Sequence, residues 1–316
     1  LRKIIGARGS VQFKYFNSYM NAEENMVDVL ICDEAHRVRE TSNSRFTKAA
    51  LRSNSAQIEE LIKATKVLVC FIDDKQVVRP SEIGSSEYIL EYARRNHCRI
   101  MEYKLDVQFR CSGSESYIQW VNNTLGVERT PNVIWNAGEE LLDFRVMESP
   151  EAVENTLKLR LHEGSTARMT AGFCWPWSDP DFSGQLLNDV IVGEYQRPWN
   201  AKPDAGRLAS GIPRSSLWAH DPNGFSQVGC IYTAQGFEFD YVGVIFGNDL
   251  VYDLDSGKWM GNRQHSFDSV VKRDAIKFLD LVKNTYRVLL TRGLKGCYVC
   301  FTDKDTERFF RSRMEH

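Results

Sequence analysis

Apolar residues follow two rhythms along this chain. Short apolar runs fall at 27–32, interrupted by Asp28, and at 67–72, which ends in Asp73-Asp74. Runs of this length read as buried strands. The spacing of Phe46, Ala50, Ile58, Leu61 and Ile62 predicts a helix over 46–66. A second helix is predicted over 83–97 and a third strand over 99–105. Strands alternating with helices predict a mostly parallel sheet covered by helices.

The rhythm restarts after Gln108-Phe109-Arg110. A helix is predicted over 115–125, and strands over 144–147, 168–174, 189–194, 228–232 and 241–246. Pro, Gly, Trp and Asn crowd residues 175–224, which predicts a loop-rich insertion near 175–225. Trp175, Trp177 and Trp199 in that insertion suit either loop packing or base stacking. Val271, Ala275, Phe278, Val282, Tyr286 and Leu289 form one helical stripe that stops at Gly293. A strand over 297–301 and a charged helix over 304–313 close the chain.

The candidate chemistry sits where these elements end. The strand over 27–32 delivers Asp33 and Glu34 to its C-terminal edge. There one carboxylate can hold Mg²⁺ through water and the next can polarise an attacking water. Gln76 follows the second strand, where its amide can sense a terminal phosphate. Thr233-Ala234-Gln235-Gly236-Phe237-Glu238 lies between two predicted strands, with Gly236 permitting a tight turn. Arg110, Arg287 and Arg292 supply guanidinium groups, whose planar forks suit phosphate oxygens. The sequence contains no G-x-x-x-x-G-K-[ST] phosphate loop. Its Gly257-Lys258 pair is followed by Trp259, and Gly6-Ala7-Arg8-Gly9-Ser10 lacks the Lys-Ser/Thr ending.

Composition narrows the field. The 316 residues are 42% hydrophobic and 26% charged, an ordinary globular balance that excludes a largely disordered chain. A net charge of −2 supplies no global field for nucleic acid, so any such contact must be local. No apolar run reaches membrane-spanning length, and the start resembles no signal peptide, so a cytoplasmic protein without membrane contact is expected. The eight cysteines lie mostly in apolar runs, as reduced buried thiols do. Cys297-Tyr-Val-Cys300 reads as a pair of strand thiols, with a redox or metal role as the alternative.

Taken in order, Asp33-Glu34-Ala35-His36, Asp73-Asp74-Lys75-Gln76, Gln108-Phe109-Arg110, Thr233–Glu238 and Tyr286-Arg287-Val288-Leu289-Leu290-Thr291-Arg292 resemble motifs II, III, IV, V and VI of superfamily 1 helicases. The segments Ala171-Gly-Phe-Cys-Trp-Pro-Trp177 and Gly229-Cys-Ile-Tyr-Thr-Ala-Gln-Gly-Phe-Glu-Phe-Asp-Tyr-Val-Gly243 resemble the bacterial Schlafen-type DNA/RNA helicase domain. The resemblance implies an α/β fold with two RecA-like parallel-sheet domains. The first, over 1–106, is truncated at its N-terminus; the second, over 107–316, carries the insertion.

By that resemblance Asp33 is the Mg²⁺ ligand and Glu34 the general base, and Gln76 contacts the γ-phosphate of ATP. Arg110 and Arg292 stabilise charge on the transferring phosphoryl group. Glu238 meets the ribose, Thr233, Gln235 and Gly236 lie by the nucleotide, and Arg287 joins the nucleotide-binding set. The implied protein is an ATPase moving on single-stranded DNA or RNA. The alternatives are an ATP-gated regulatory or defence-system switch and a non-hydrolysing scaffold. Because the phosphate loop is missing and Leu1 is not Met, an upstream segment carrying that loop is expected, and these residues alone are expected to bind ATP weakly. The sequence does not indicate an oligomeric state.

Overall fold

A computed structural model describes residues 11–104, 111–136 and 141–315. The chain divides into two compact units, Leu1–Lys104 and Leu105–His316. The fold is mixed α/β, consistent with the RecA-like class.

In the first unit β1 (Val27–Cys32) and β2 (Thr65–Cys70) pair in parallel, with Val29 opposite Val67 and Cys32 opposite Cys70. Two helices follow the chain around them, α1 (Gln57–Lys63) and α2 (Ser86–Arg95). Alternation along the strands splits their side chains between two faces. Leu30, Cys32, Leu68 and Cys70 pack in a cluster with Ile58, Leu61, Tyr88, Ile89 and Tyr92 from the helices. Val29, Ile31 and Val67 point the other way and are 53%, 63% and 51% exposed. Parallel strands ordinarily have both faces covered, so this open apolar face is unusual.

Two predicted elements differ. The helix expected over 46–66 is confined to α1. Residues 46–56 form turns and one short 3-10 segment, Ala49–Leu51. Asn43 explains the break: its side chain donates to Ser53 O at 2.7 Å and accepts from Ser53 N at 3.1 Å, drawing the backbone away from helical pairing. The helix starts only at Gln57, where the Glu59 carboxylate accepts from Ala56 N at 3.1 Å. The strand expected over 99–105 is also absent from residues 99–104, where Met101 and Tyr103 are 63% and 80% exposed. An apolar alternation makes a strand only beside a partner ladder, and these residues have none.

The second unit is built on a five-stranded sheet in the order β3-β11-β8-β4-β7, parallel throughout. Its strands are β3 (Asp143–Val146), β4 (Ala167–Ala171), β7 (Val228–Gly229), β8 (Phe239–Phe246) and β11 (Gly293–Phe301). The helices are α3 (Glu115–Thr124), α4 (Pro150–His162), α5 (Ile231–Ala234), α6 (Phe278–Leu290) and α7 (Lys304–Ser312). Three of them begin on a side-chain cap: Ser114, Ser149 and Asp303 each accept a first-turn backbone N–H.

Helices α4 and α6 cover opposite faces of the sheet. Val153 and Leu157 of α4 crowd Gly243, where a Cβ would lie 2.6 and 2.8 Å from them. Tyr286 of α6 stacks on Phe246, their ring centroids 3.7 Å apart. These two β8 residues have opposite parity and so face opposite ways.

Residues 231–232, expected in a strand over 228–232, instead open α5, because β7 ends at Gly229 and the chain turns at Cys230. The 175–225 insertion is loop-rich and contains one hairpin, β5 (Val190–Val192) with β6 (Tyr195–Arg197). A second hairpin, β9 (Leu250–Asp253) with β10 (Lys258–Gly261), follows β8.

Candidate functional site

In the first unit, parallel pairing carries two acid-bearing turns to the same edge. Pairing continues past the strand ends: Phe71 N donates to Cys32 O at 2.9 Å and Ala35 N to Phe71 O at 2.8 Å. Asp33 therefore leaves β1 beside the point where Asp73 follows β2. Asp33 is exposed, and its Oδ1 accepts from Glu34 N at 3.0 Å. Glu34 takes a left-handed backbone, φ +54°, an uncommon conformation for a non-glycine residue. This turn brings the Glu34 carboxylate to 3.1 Å from Nε2 of buried His36 and 3.7 Å from Nε of Arg37.

Gln76 is buried and donates through Nε2 to Asp73 Oδ2 at 2.9 Å. Asp73 also accepts from Lys75 N at 3.0 Å, and Asp74 from Ser86 N at 2.7 Å. The two carboxylates thus fix the turn that presents Gln76. Gly84 lies against the acid turn: a Cβ there would meet Ala35 O at 2.2 Å, and Ile83 N donates to Val38 O at 2.8 Å. Asp33, Glu34 and Gln76 are therefore brought together on one sheet edge.

In the second unit, α5 carries Thr233 and leads into Gln235 and Gly236. Gly236 adopts φ +89°, a conformation glycine reaches at little cost. Thr233 and Gln235 are buried, whereas Gly236 and Glu238 are exposed. Arg292 is 1% exposed. Its Nε donates to Val288 O at 3.1 Å and its Nη1 to Phe237 O at 3.4 Å, while Phe239 N donates to Arg292 O at 3.1 Å. The end of α6 and the Thr233–Glu238 turn are thereby joined. Arg287, also buried, instead reaches α3, where its Nε donates to Asn122 Oδ1 at 2.7 Å. Arg110 and the Gly6–Ser10 segment lie outside the described residues.

Three residues that the sequence reading passed over support this turn. Thr233 Oγ1 donates to Asn200 Oδ1 at 2.9 Å, tying α5 to the insertion. Tyr232 OH donates to Asp268, whose other oxygen accepts from Val270 N and Val271 N at 2.9 and 3.0 Å. No local sequence signal marks Asn200 or Asp268, because each meets its partner from 33 or 36 residues away.

The insertion tryptophans use their indole N–H groups on backbone carbonyls. Trp175 donates to Ile191 O, Trp177 to Asn200 O and Trp199 to Pro176 O, at 2.9, 2.7 and 2.8 Å. Packing accounts for all three.

Cys297 and Cys300 sit in β11, and burial raises both thiols, that of Cys300 to about 12. Thiols so raised are poor nucleophiles. No disulfide joins the cysteines among the described residues.

The family model for Schlafen group 3, DNA/RNA helicase domain, matches residues 2–303. The chain belongs to this family. As a Schlafen group 3 helicase domain it is helicase-like in general character. It is also similar to the uncharacterized protein YPL245W of Saccharomyces cerevisiae, with 25% identity over 312 residues. That match covers 90% of this chain and 65% of the yeast protein. Among the described residues, no helix of this helicase domain is long and apolar enough to cross a membrane.

Proposed function

We propose that this helicase domain works in an ATP-dependent motor that moves on single-stranded DNA or RNA. One observation carries the reading: β1 and β2, paired in parallel, bring the Asp33-Glu34 turn and the Asp73–Gln76 turn to one edge. Ligands of parallel α/β sheets bind at strand C-terminal ends. In this reading the exposed carboxylate of Asp33 holds Mg²⁺. Among the described residues no three His, Cys, Asp or Glu side chains converge as a metal cage. Asp33 with water and phosphate oxygens fits that donor set, since Mg²⁺ sites commonly use one or two carboxylates. The bound cation would offset phosphate charge.

Glu34 then accepts the proton of the attacking water, its carboxylate standing 3.1 Å from His36 Nε2. Gln76 senses the terminal phosphate through the turn that Asp73 holds. Thr233, Gln235, Gly236 and Glu238 contact the nucleotide, Arg287 joins this set only by leaving its Asn122 contact on α3, and Arg110 offers positive charge. The phosphate cradle belongs to an upstream segment in this proposal.

A second reading, an ATP-gated switch or scaffold without unwinding, draws support from Arg292. It is 1% exposed and its side chain is turned onto the Val288 and Phe237 carbonyls, so the guanidinium meets a phosphoryl group only if the packing around it opens.

Phosphate release by the full-length protein, with and without single-stranded DNA or RNA, tests the choice. The motor reading expects nucleic acid to accelerate turnover severalfold. Turnover indifferent to both polymers selects the switch, and no turnover selects the scaffold.

A further inference from the structure

Cys32 and Cys70 are the last residues of β1 and β2 and stand opposite each other in the parallel register. Residues paired in this way share one face of a sheet. Both side chains accordingly pack in one cluster with Ile58, Leu61 and Tyr88. Neighbouring strands lie about 4.8 Å apart, and a disulfide bridges Cα atoms about 4.4–6.8 Å apart. Both thiols are free. Cys297 and Cys300 differ: three positions apart on one strand, they face opposite ways.

The two paired thiols differ in access. Cys32 is 1% exposed, whereas Cys70 is only partly buried. A hydrogen bond with Cys32 lowers the Cys70 thiol, against the opposing effect of burial. The sulfur that solvent reaches is therefore the readier nucleophile, with a second sulfur beside it.

We propose that Cys32 and Cys70 are a redox modification site, joined by peroxide into a reversible disulfide across the end of the β1–β2 pair. The Cys70 sulfur attacks one oxygen of hydrogen peroxide. The S–O bond forms, the O–O bond breaks, and hydroxide departs as water with the Cys70 proton. The Cys32 sulfur then attacks the Cys70 sulfenic acid. The S–S bond forms, the S–O bond breaks, and the hydroxyl departs as a second water with the Cys32 proton. The two thiols give up two electrons, which reduce one peroxide to two waters. A small dithiol restores both thiols by exchange.

The bond would act on the edge that carries the acid turns. Cys32 directly precedes Asp33, and its carbonyl accepts from Phe71 N at 2.9 Å. A disulfide requires Cβ atoms about 3.8 Å apart, so it draws the two strand ends together beneath Asp33 and Gln76. Resting on the motor reading above, oxidation is expected to slow ATP turnover.

The test treats the full-length protein with equimolar hydrogen peroxide, blocks remaining thiols with iodoacetamide, and maps peptides by mass spectrometry without reduction. The Cys32 and Cys70 peptides should emerge joined, and dithiothreitol should separate them. Cys32→Ser should halt the chemistry at a Cys70 sulfenic acid that dimedone captures. Turnover of the oxidised protein should fall about tenfold or more, since misplacement by about 1 Å can cost about a hundredfold. Dithiothreitol should restore it, and Cys70→Ser should keep its own rate under peroxide. Absence of the joined peptides overturns the proposal. A cross-link that leaves turnover unchanged, or equal slowing of Cys70→Ser, overturns the link to the acid turns. Absence of turnover in the reduced protein counts against the motor reading instead, and the peptide map still decides the disulfide.

Discussion

Thr233 Oγ1 and Asn200 Oδ1 share a buried hydrogen bond of 2.9 Å, and through it the insertion holds the turn that carries the helicase-like Thr-x-Gln-Gly sequence. Asn200 is fully enclosed. Its N donates to Val228 O, its Nδ2 to Ala201 O, and its O accepts from Trp177. Asn200→Ala should therefore cost about 1–3 kcal/mol, the penalty for stranding a buried hydroxyl, measured by urea unfolding. Thr233→Ser, which keeps the donor, should cost less than Asn200→Ala. Equal losses would show that the bond contributes little.

Glu34→Gln separates binding from chemistry. The amide can keep a contact to His36, now 3.1 Å from the carboxylate, but cannot accept the water proton. In the full-length protein, turnover should fall by about 10²–10⁴-fold, the usual range for a general base. ATP affinity should stay within about threefold by equilibrium binding, the variation typical of a retained contact. Unchanged turnover would remove Glu34 from its proposed role.

Gly84→Ala should disturb the acid turn without touching it chemically. The added methyl would meet Ala35 O at 2.2 Å and Val38 Cβ at 2.9 Å, both on rigid backbone or a branched side chain. Overpacking of this kind costs about 1–3 kcal/mol. Gly206→Ala is the matched control, because nothing lies within 4 Å of its new methyl, and it should change stability by less than about 0.5 kcal/mol. Thermal melts of the two variants check the contrast.

Arg197 binds Glu154 through two hydrogen bonds, 2.9 and 2.8 Å, pinning the insertion hairpin to α4. Burial raises the Glu154 carboxyl, but hydrogen bonds from Arg197, Lys158 and Tyr195 outweigh it, so the net shift is downward. A lowered acid contributes stability above its unfolded value, near 4.3, and loses it as pH falls through the folded value. Arg197→Leu should cost about 2 kcal/mol at neutral pH, less than a fully buried pair because the Arg197 side chain is 38% exposed. That cost should shrink progressively below about pH 4. Denaturant midpoints across pH 3 to 7 provide the measurement, and a flat difference would contradict the linkage.

The strands were legible where burial alone dictates them. Those at β8 and β11 are buried along most of their length, whereas β1 and β2 were readable as apolar runs ending in acids even though Val29, Ile31 and Val67 lie exposed. Elements decided by distant side chains were not. Asn43 captures Ser53 and ends helical pairing ten residues away, which spacing along 46–66 cannot reveal. Residues 99–104 carry a strand-like pattern but lack a ladder. Arg292 was readable as a motif residue, whereas its burial on the Phe237 carbonyl depends on packing between α6 and a turn 55 positions earlier. The supporting contacts of Asn200 and Asp268 belong to the same class.

The uncovered side of the β1–β2 ribbon has a practical result for anyone handling this protein. Val29, Ile31 and Val67 present a greasy strip to the bulk liquid, and such strips cause molecules to stick together as they are concentrated. Particle size by light scattering should grow with dose, and replacing Ile31 by threonine, a β-branched residue with a wettable end, should keep the particles apart.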